Sequence, residues 1–521
     1  MPLMDITTFI ALLIAAALLI AGNRQRTVIA VAALALCGAI GCLWLLHWQA
    51  AGLAVIAVLT LGIAIALGRK RQTILGGALL VLTLAALLPY FFFPIFDLPV
   101  PDGRYRVGVR SFDLRDDARR GVAYTAPGSP RTLPVTIWYP APADATGSAR
   151  PYFTRAETWD EGRSGAKLWG FPVWRFLSLH ATGTHGIEAA AIADGRFPVV
   201  VFNHGYWSFR AQNTALMERL ASHGYIVVSV AHPRDSADVR LTDGTLIPNA
   251  PHFGPEGVGD PALDKQWEAA TAAFMGGPDH ARRIAAIPAY RAAVEPHRLG
   301  QSLRVWRDDA LFVARTLRKA APANAGDVFT RADFTRTVYA GMSFGGSTAV
   351  SACDTDPDCA AAVNLDGENF DGDQFDRAVR APLLLMLTDQ PFSQTQRAGY
   401  NPTDYAWERW HCIGDREDIV RLRARGLLHM GMSDLVLSAR GPLKREHFTS
   451  LDGARAMAMV NDTVLAFLDA HVRGGYKARL RSVLARHPEL ERLDTRSLRI
   501  HAAGPGEREA CRTGADDAAK R

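Results

Sequence analysis

The residues best suited to chemistry stand in Gly341-Met-Ser343-Phe-Gly345, between an apolar stretch (Thr337–Ala340) and a run of small residues. Gly-x-Ser-x-Gly in that setting is the form of a nucleophile elbow, a sharp strand-to-helix turn carrying a serine. At the two glycines a side chain would collide with the neighbouring strand or helix. The N–H of Phe344, at the start of the helix, is set to bind a developing oxyanion. A serine hydroxyl needs a base, and the base needs an orienting carboxylate, in the chain order Ser, acid, His. Two acids directly follow apolar strands after Ser343: Asp366 and Asp389. The histidines available are His411, His429, His447, His471, His487 and His501. With a last strand read at Asp434–Leu437, His411 and His429 precede it, His471 lies within a helix, and His447 is the expected base. The second oxyanion donor is expected from His204-Gly205-Tyr206, with the Tyr206 N–H as the donor. His204 itself precedes the nucleophile in the chain and reads as a structural loop residue.

The elements that must position these residues alternate. Tyr105–Leu114 and Thr132–Ala141 read as strands, as do Phe197–Asn203 and Tyr225–Val230, followed by the elbow strand, Ala360–Leu365 and Pro382–Leu387. Helices are expected at Gln212–His223 and Ser302–Lys319. Strands that are apolar throughout, alternating with helices, define a mostly parallel α/β sheet with its ligands beyond the carboxyl ends of the strands. Residues 245–300 read as a helical insertion, either a lid or a plain helical pair. Trp159, Trp169 and Trp174 lie in an irregular stretch and suit either a core or a pocket wall.

The first 95 residues are of another kind. Four apolar runs, Ile6–Ala21, Thr27–Leu46, Ala51–Leu67 and Ile74–Phe93, approach the roughly 20 residues that cross a bilayer as a helix. A cleaved signal peptide fits poorly, since Met1–Asp5 carries no Lys or Arg. Basic residues fall in the first and third turns (Arg24, Arg26; Arg69, Lys70, Arg71), so those turns are expected in the cytoplasm and the remainder of the chain outside. No Asp, Glu, Lys or Arg lies within a run as counted, so the segment reads as an anchor rather than a transport path.

Net charge is +6, and the first 100 residues hold five basic against two acidic groups. No basic block remains for a nucleic-acid partner, and the sequence gives no protein partner. Of the outer cysteines, Cys353 and Cys359 close a short loop and are expected to form a disulfide in an oxidising compartment. A metal reading is weak without a second ligand pair nearby, and no metal or cofactor is expected. Cys412 and Cys511 are left over as a further pair.

Asn203-His-Gly-Tyr-Trp-Ser-Phe-Arg210, Leu220-Ala-Ser-His-Gly-Tyr-Ile-Val227, Gly341-Met-Ser-Phe-Gly-Gly346 and Asn364-Leu-Asp-Gly367 together resemble the platelet-activating-factor acetylhydrolase family. The likeness runs over about Tyr105 to Leu468 and points to a dienelactone-hydrolase-like bacterial branch. It implies an α/β-hydrolase fold that cleaves short acyl chains from phospholipids without calcium. It selects Asp366 over Asp389 as the acid. The family's aromatic residue three positions after its histidine is missing here, where Ser450 follows His447, while the acid five positions on is kept as Asp452.

The expected organisation is a four-helix transmembrane anchor (1–95), a linker (96–104), an α/β-hydrolase domain (105–475) and a charged tail (476–521) with a disordered end. The expected activity is that of a serine ester hydrolase acting on an ester or phospholipid. It is expected to be integral to a bacterial inner membrane, with its site on the periplasmic side. An acyltransferase with the same triad and a non-catalytic hydrolase-fold module are the alternatives.

Overall fold

The computed structural model describes residues 1–493 apart from 23–24, 171, 251–258, 277–279, 377–379, 390–416 and 476. His411, Cys412, His501, Cys511 and the expected disordered end lie outside the described residues. The chain divides into two compact units that cut across the blocks expected from the sequence.

The first unit joins residues 1–98, 151–184 and 437–446. Its frame is α1 (Leu3–Ile20), α2 (Gln25–Trp44), α3 (Ala51–Ala66) and α4 (Arg69–Ala85), followed by a short α5 (Leu88–Phe92). Among the described residues four helical stretches are long and apolar enough to cross a membrane. Small residues let the helices approach: Ala16, Ala32, Ala35, Ala39 and Ala57 are fully buried between them. Large apolar side chains such as Leu34, Val55, Ile65 and Ile74 face outward, the arrangement that suits lipid rather than water.

One expectation about this segment needs correction. The first helix begins at Leu3, so Asp5 is inside it, and Asp5 is wholly buried. Its carboxylate is held by His47 and Tyr90, polar partners that an apolar-run count passes over.

Residues 151–184 form α6 (Arg155–Trp169) and α7 (Trp174–Leu177). A capping box between Thr154 and Glu157 starts α6, and Gly170 ends it in the left-handed region at φ 67°. The Trp174 ring packs 4.1 Å from Trp48 and 5.6 Å from Phe93, and the Arg155 guanidinium lies over Trp44. Trp159, Trp169 and Trp174 all remain partly exposed on this unit, so none of the three is core filling.

The second unit holds a ten-stranded sheet. In chain order its strands are β1 (Arg106–Arg120), β2 (Pro130–Ala141), β3 (Gly186–Glu188), β4 (Phe197–Asn203) and β5 (Ile226–Val230). A small separate hairpin follows, β6 (Val239–Arg240) with β7 (Leu246–Ile247). Then come β8 (Ala332–Met342), β9 (Cys359–Leu365), β10 (Leu383–Thr388), β11 (Ile419–Ala424) and β12 (Leu490–Arg492). The spatial order is β12-β11-β10-β9-β8-β4-β5-β2-β1-β3. From β5 to β11 every pairing is parallel, while β1, β2 and β12 join antiparallel. β4 and β5 are buried along their whole length, as strands covered on both faces must be.

Helices α8 (Thr214–Ser222), α9 (Pro261–Gly276), α10 (His280–Val294), α11 (Arg298–Lys319) and α12 (Phe344–Thr355) complete the frame around the site. Trp306 of α11 is fully buried at the centre of the main core. The α9–α10 pair is part of that core, for Phe274, Ile287 and Tyr290 join Phe344 and Phe370 in one apolar cluster.

Two strand assignments move. Asp434–Leu437 is a 3₁₀ turn, and the last parallel strand is Ile419–Ala424. The expected tail is also shorter than read, because β12 adds an edge strand against β11.

Candidate active site

Registers bring the working residues to one edge of the sheet. Asn203 pairs with Gly341 and Gly341 with Asn364, so β4, β8 and β9 end side by side. Beyond those ends stand His204-Gly205-Tyr206, Ser343 and Asp366, with Thr388 ending β10.

Ser343 sits at φ 57°, ψ −128°, a strained conformation for a residue with a side chain. Its N–H donates to Leu365 O at 2.7 Å, and its C=O accepts from Gly346 at 2.8 Å. The glycine requirement is steric. A Cβ on Gly345 would stand 2.0 Å from Asn203 O, and one on Gly341 2.2 Å from Gly345 O.

The Ser343 hydroxyl lies 2.9 Å from His429 Nε2. His429 Nδ1–H donates to Asp366 Oδ2 at 2.6 Å. That donation leaves Nε2 free to accept from the serine. The Asp366 side chain is 3 % exposed and the His429 side chain 22 %, so the acid is enclosed and the imidazole is open on one side. Thr388 completes the acid's shell, donating its N–H to Oδ1 at 2.8 Å and its hydroxyl to Oδ2 at 2.7 Å.

The histidine expected from the sequence is not the one against the serine. His447 ends the helix Gly441–His447. Its neighbours instead support the loop that carries His429. Phe448 O accepts from Leu428 N–H, Thr449 Oγ1 donates to Gly426 O, and Leu427 bridges to Thr449. The cause of the misreading is the displaced strand: once β11 is Ile419–Ala424, His429 follows the last parallel strand rather than preceding it. Asp389 likewise does not reach the imidazole, and its Oδ2 accepts from Gly426 N–H at 3.2 Å.

The loop after β4 stands against the nucleophile, with the position of a Gly205 Cβ only 3.3 Å from Ser343 Cβ. Gly205 donates its own N–H to Gln212 Oε1 at 2.8 Å, so it is committed elsewhere, and the Tyr206 N–H stays the donor expected from this loop. The Tyr206 ring is fixed from behind. Its hydroxyl donates to Asp235 Oδ1, which also accepts from Arg298, and Trp306 donates to Asp235 Oδ2. Phe344 is the first residue of α12, where N–H groups have no acceptor within the helix. The Tyr206 and Phe344 rings pack 5.0 Å apart, tying the two expected donors together.

His204 is enclosed behind the site. Its Nδ1–H donates to Gly205 O, its Nε2 accepts from His232 N–H, and complete burial, with the neighbouring His232, holds its pKa down to about 3. Glu368, two residues past the acid, is partly enclosed. Desolvation first and the Asp366 charge second push it up to about 7, against an opposing pull from His429.

Cys353 and Cys359 form a disulfide that joins α12 to the start of β9. Thr388 and Gln212 escaped sequence reading. Each is a common polar residue, with nothing local to mark it as a partner of Asp366 or Gly205.

The fold is that of an α/β-hydrolase. Residues 102–243 match the family model described as platelet-activating factor acetylhydrolase, isoform II. That stretch includes the loop after β4 but stops before the elbow. Among solved structures, the chain is similar to a ferulic acid esterase from Streptomyces cinnamoneus, with a TM-score of 0.55 and 24 % identity. The alignment covers 76 % of this chain and 99 % of that one. No curated protein matches the chain.

Proposed function

We propose that the protein is a membrane-anchored serine ester hydrolase with Ser343 as nucleophile, His429 as general base and Asp366 as the orienting acid. The observation that carries this reading is the His429 ring, which bridges Ser343 Oγ at 2.9 Å and Asp366 Oδ2 at 2.6 Å. His429 takes the serine proton as Oγ attacks the ester carbonyl, and the imidazolium is stabilised by Asp366. The N–H groups of Phe344 and Tyr206 receive the tetrahedral oxyanion. Collapse of that intermediate expels the alcohol, which leaves with the proton from His429. Water then enters, gives a proton to His429 and attacks the acyl-enzyme, releasing the acid and restoring Ser343.

The substrate class we assign is a short-acyl or acetyl ester of a phospholipid. The acetylhydrolase likeness supports it, as do four apolar helices that would hold the site near a lipid surface. The basic turns support an outward-facing site under the positive-inside rule.

The test is hydrolysis of p-nitrophenyl esters from acetate to octanoate by the detergent-solubilised full chain, beside short-acyl phospholipids in mixed micelles. Wild type should cleave the shortest esters fastest, and Ser343→Ala should cleave none. Equal rates in the two proteins, or no activity in either, sink the reading.

A further inference from the structure

The first unit contains a second polar cluster, far in chemistry from the esterase site. Asp5 of α1, Cys42 of α2 and His47 just beyond α2 are all buried, at 0 %, 0 % and 4 % exposure. Asp5 Oδ2 and His47 Nδ1 are 2.7 Å apart, and a carboxylate oxygen of Asp5, a ring nitrogen of His47 and Cys42 Sγ all lie within 4.8 Å of one another. Tyr90, in α5, donates its hydroxyl to the other carboxylate oxygen, Asp5 Oδ1, at 2.5 Å. The helices run alternately up and down, so all four residues fall at one end of the bundle, opposite the Arg69-Lys70-Arg71 turn.

We infer that Asp5, Cys42 and His47 form a binding site for a zinc-class divalent cation. Three arguments carry it. The first is the donor set. One carboxylate, one imidazole and one thiol are the ligand types zinc takes, and three protein ligands leave a fourth position for water. The second is size. Bonds of about 2.0–2.3 Å at tetrahedral angles put ligand atoms about 3.3–3.8 Å apart. The observed atoms fit after sub-ångström to ångström adjustments, the Asp5–His47 pair opening from 2.7 Å as the cation replaces their shared proton.

The third is charge. Among apolar helices an unbalanced ion is costly. A divalent cation with one carboxylate, one thiolate and a neutral imidazole sums to zero. Without the cation, Cys42, which is in no disulfide, is only a weak thiol donor to Asp5; with it, the thiolate supplies the second negative charge. With the cation bound, Tyr90 becomes the outer partner that orients the ligating carboxylate. Binding expels the thiol proton and the proton shared by Asp5 and His47, so occupancy rises with pH.

The test uses the full chain purified in detergent without chelator, with metal content measured by plasma emission and Co²⁺ substituted for spectroscopy. Wild type should retain about one zinc per chain, and the cobalt form should show a thiolate-to-cobalt charge-transfer band. Cys42→Ser should abolish that band, and Asp5→Asn and His47→Ala should each lose the metal. Ser343→Ala should keep it, which separates this site from the esterase reading. A wild-type chain that is folded by thermal melt yet binds neither Zn²⁺ nor Co²⁺ overturns the inference, since the cluster is then a hydrogen-bonded clasp alone. Metal bound equally by all three ligand variants overturns it as well.

Discussion

Two of the buried Asp–His pairs among the described residues are nearly the same length but stand in opposite surroundings. Asp366 meets His429 at 2.6 Å, and Asp5 meets His47 at 2.7 Å. At the strand ends the imidazole is 22 % exposed and its second nitrogen faces a serine on a strained turn. In the helical bundle the imidazole is 6 % exposed and its neighbours are a phenol and a thiol on helices. A carboxylate orienting an imidazole is thus only half a device. The third group and its access to solvent decide whether the pair moves a proton to a substrate or holds its place.

The contrast is broken most sharply at the histidines. His429→Ala should lower ester hydrolysis and fluorophosphonate labelling by roughly 10⁴-fold or more. His447→Ala should stay within about threefold in kcat, because its segment supports the loop through the Phe448 carbonyl and Thr449. The reverse ranking would restore the sequence-based choice.

Next come the acids: Asp366→Asn should cost about 10⁴ in kcat. Asp389→Asn should cost less than about tenfold, through the Gly426 N–H it holds. Similar losses in both would dissolve the distinction between an acid that orients the base and one that shapes its loop.

In the other pair, Asp5→Asn should leave kcat unchanged but lower stability by about 3 kcal/mol, the order expected when a buried carboxylate that other side chains hydrogen-bond is removed. A fall in kcat with no change in the melt would instead tie this pair to catalysis. Thr388→Val removes one hydroxyl donor to Asp366 Oδ2 and should reduce kcat by roughly tenfold with KM unmoved. A KM effect alone would mean that Thr388 acts on substrate.

The smallest effect concerns a lone acid. Burial pushes Glu218 up to about 7 from 4.5, although its Oε1 accepts the N–H groups of His185 and Gly186. The folded state therefore holds this proton longer than the unfolded chain. Its stabilising contribution is full below about pH 4.5 and is lost as pH rises through about 7. Glu218→Gln should flatten that part of the stability–pH curve, as read by denaturant midpoints at pH 5 and 8. An unchanged slope would show that Glu218 does not titrate there.

Much of the site was legible because strand ends announce themselves. Fully apolar runs into Asn203-His-Gly, Gly341-Met-Ser and Asn364-Leu-Asp placed the proposed oxyanion loop, nucleophile and acid on one sheet edge. The histidine beside Ser343, the proposed base, was not legible for a physical reason. β11 reads Ile-Val-Arg-Leu-Arg-Ala, and its arginines hide a parallel strand from an apolar-run search. Arg421 is buried all the same, and Arg423 is balanced by Glu491 of β12, a strand at the other end of the domain sequence. Leu435-Val-Leu437 looks more like a strand but turns as a 3₁₀ segment. The buried Asp5 was missed in a similar way, since one charge at the start of an apolar helix looks like a flank until its partners 42 and 85 residues away are known.

The crowding around Gly345 carries a consequence for anyone wishing to redesign this protein. Its Cα faces the carbonyls of Asn203 and His204 with no space for even a methyl group. Elbow and oxyanion loop are therefore locked as one casting, and saturation libraries at Gly345 should return only the parent residue. New acyl preferences must be sought in side chains away from that casting, because Phe344 and Tyr206 are themselves packed into the core beside it.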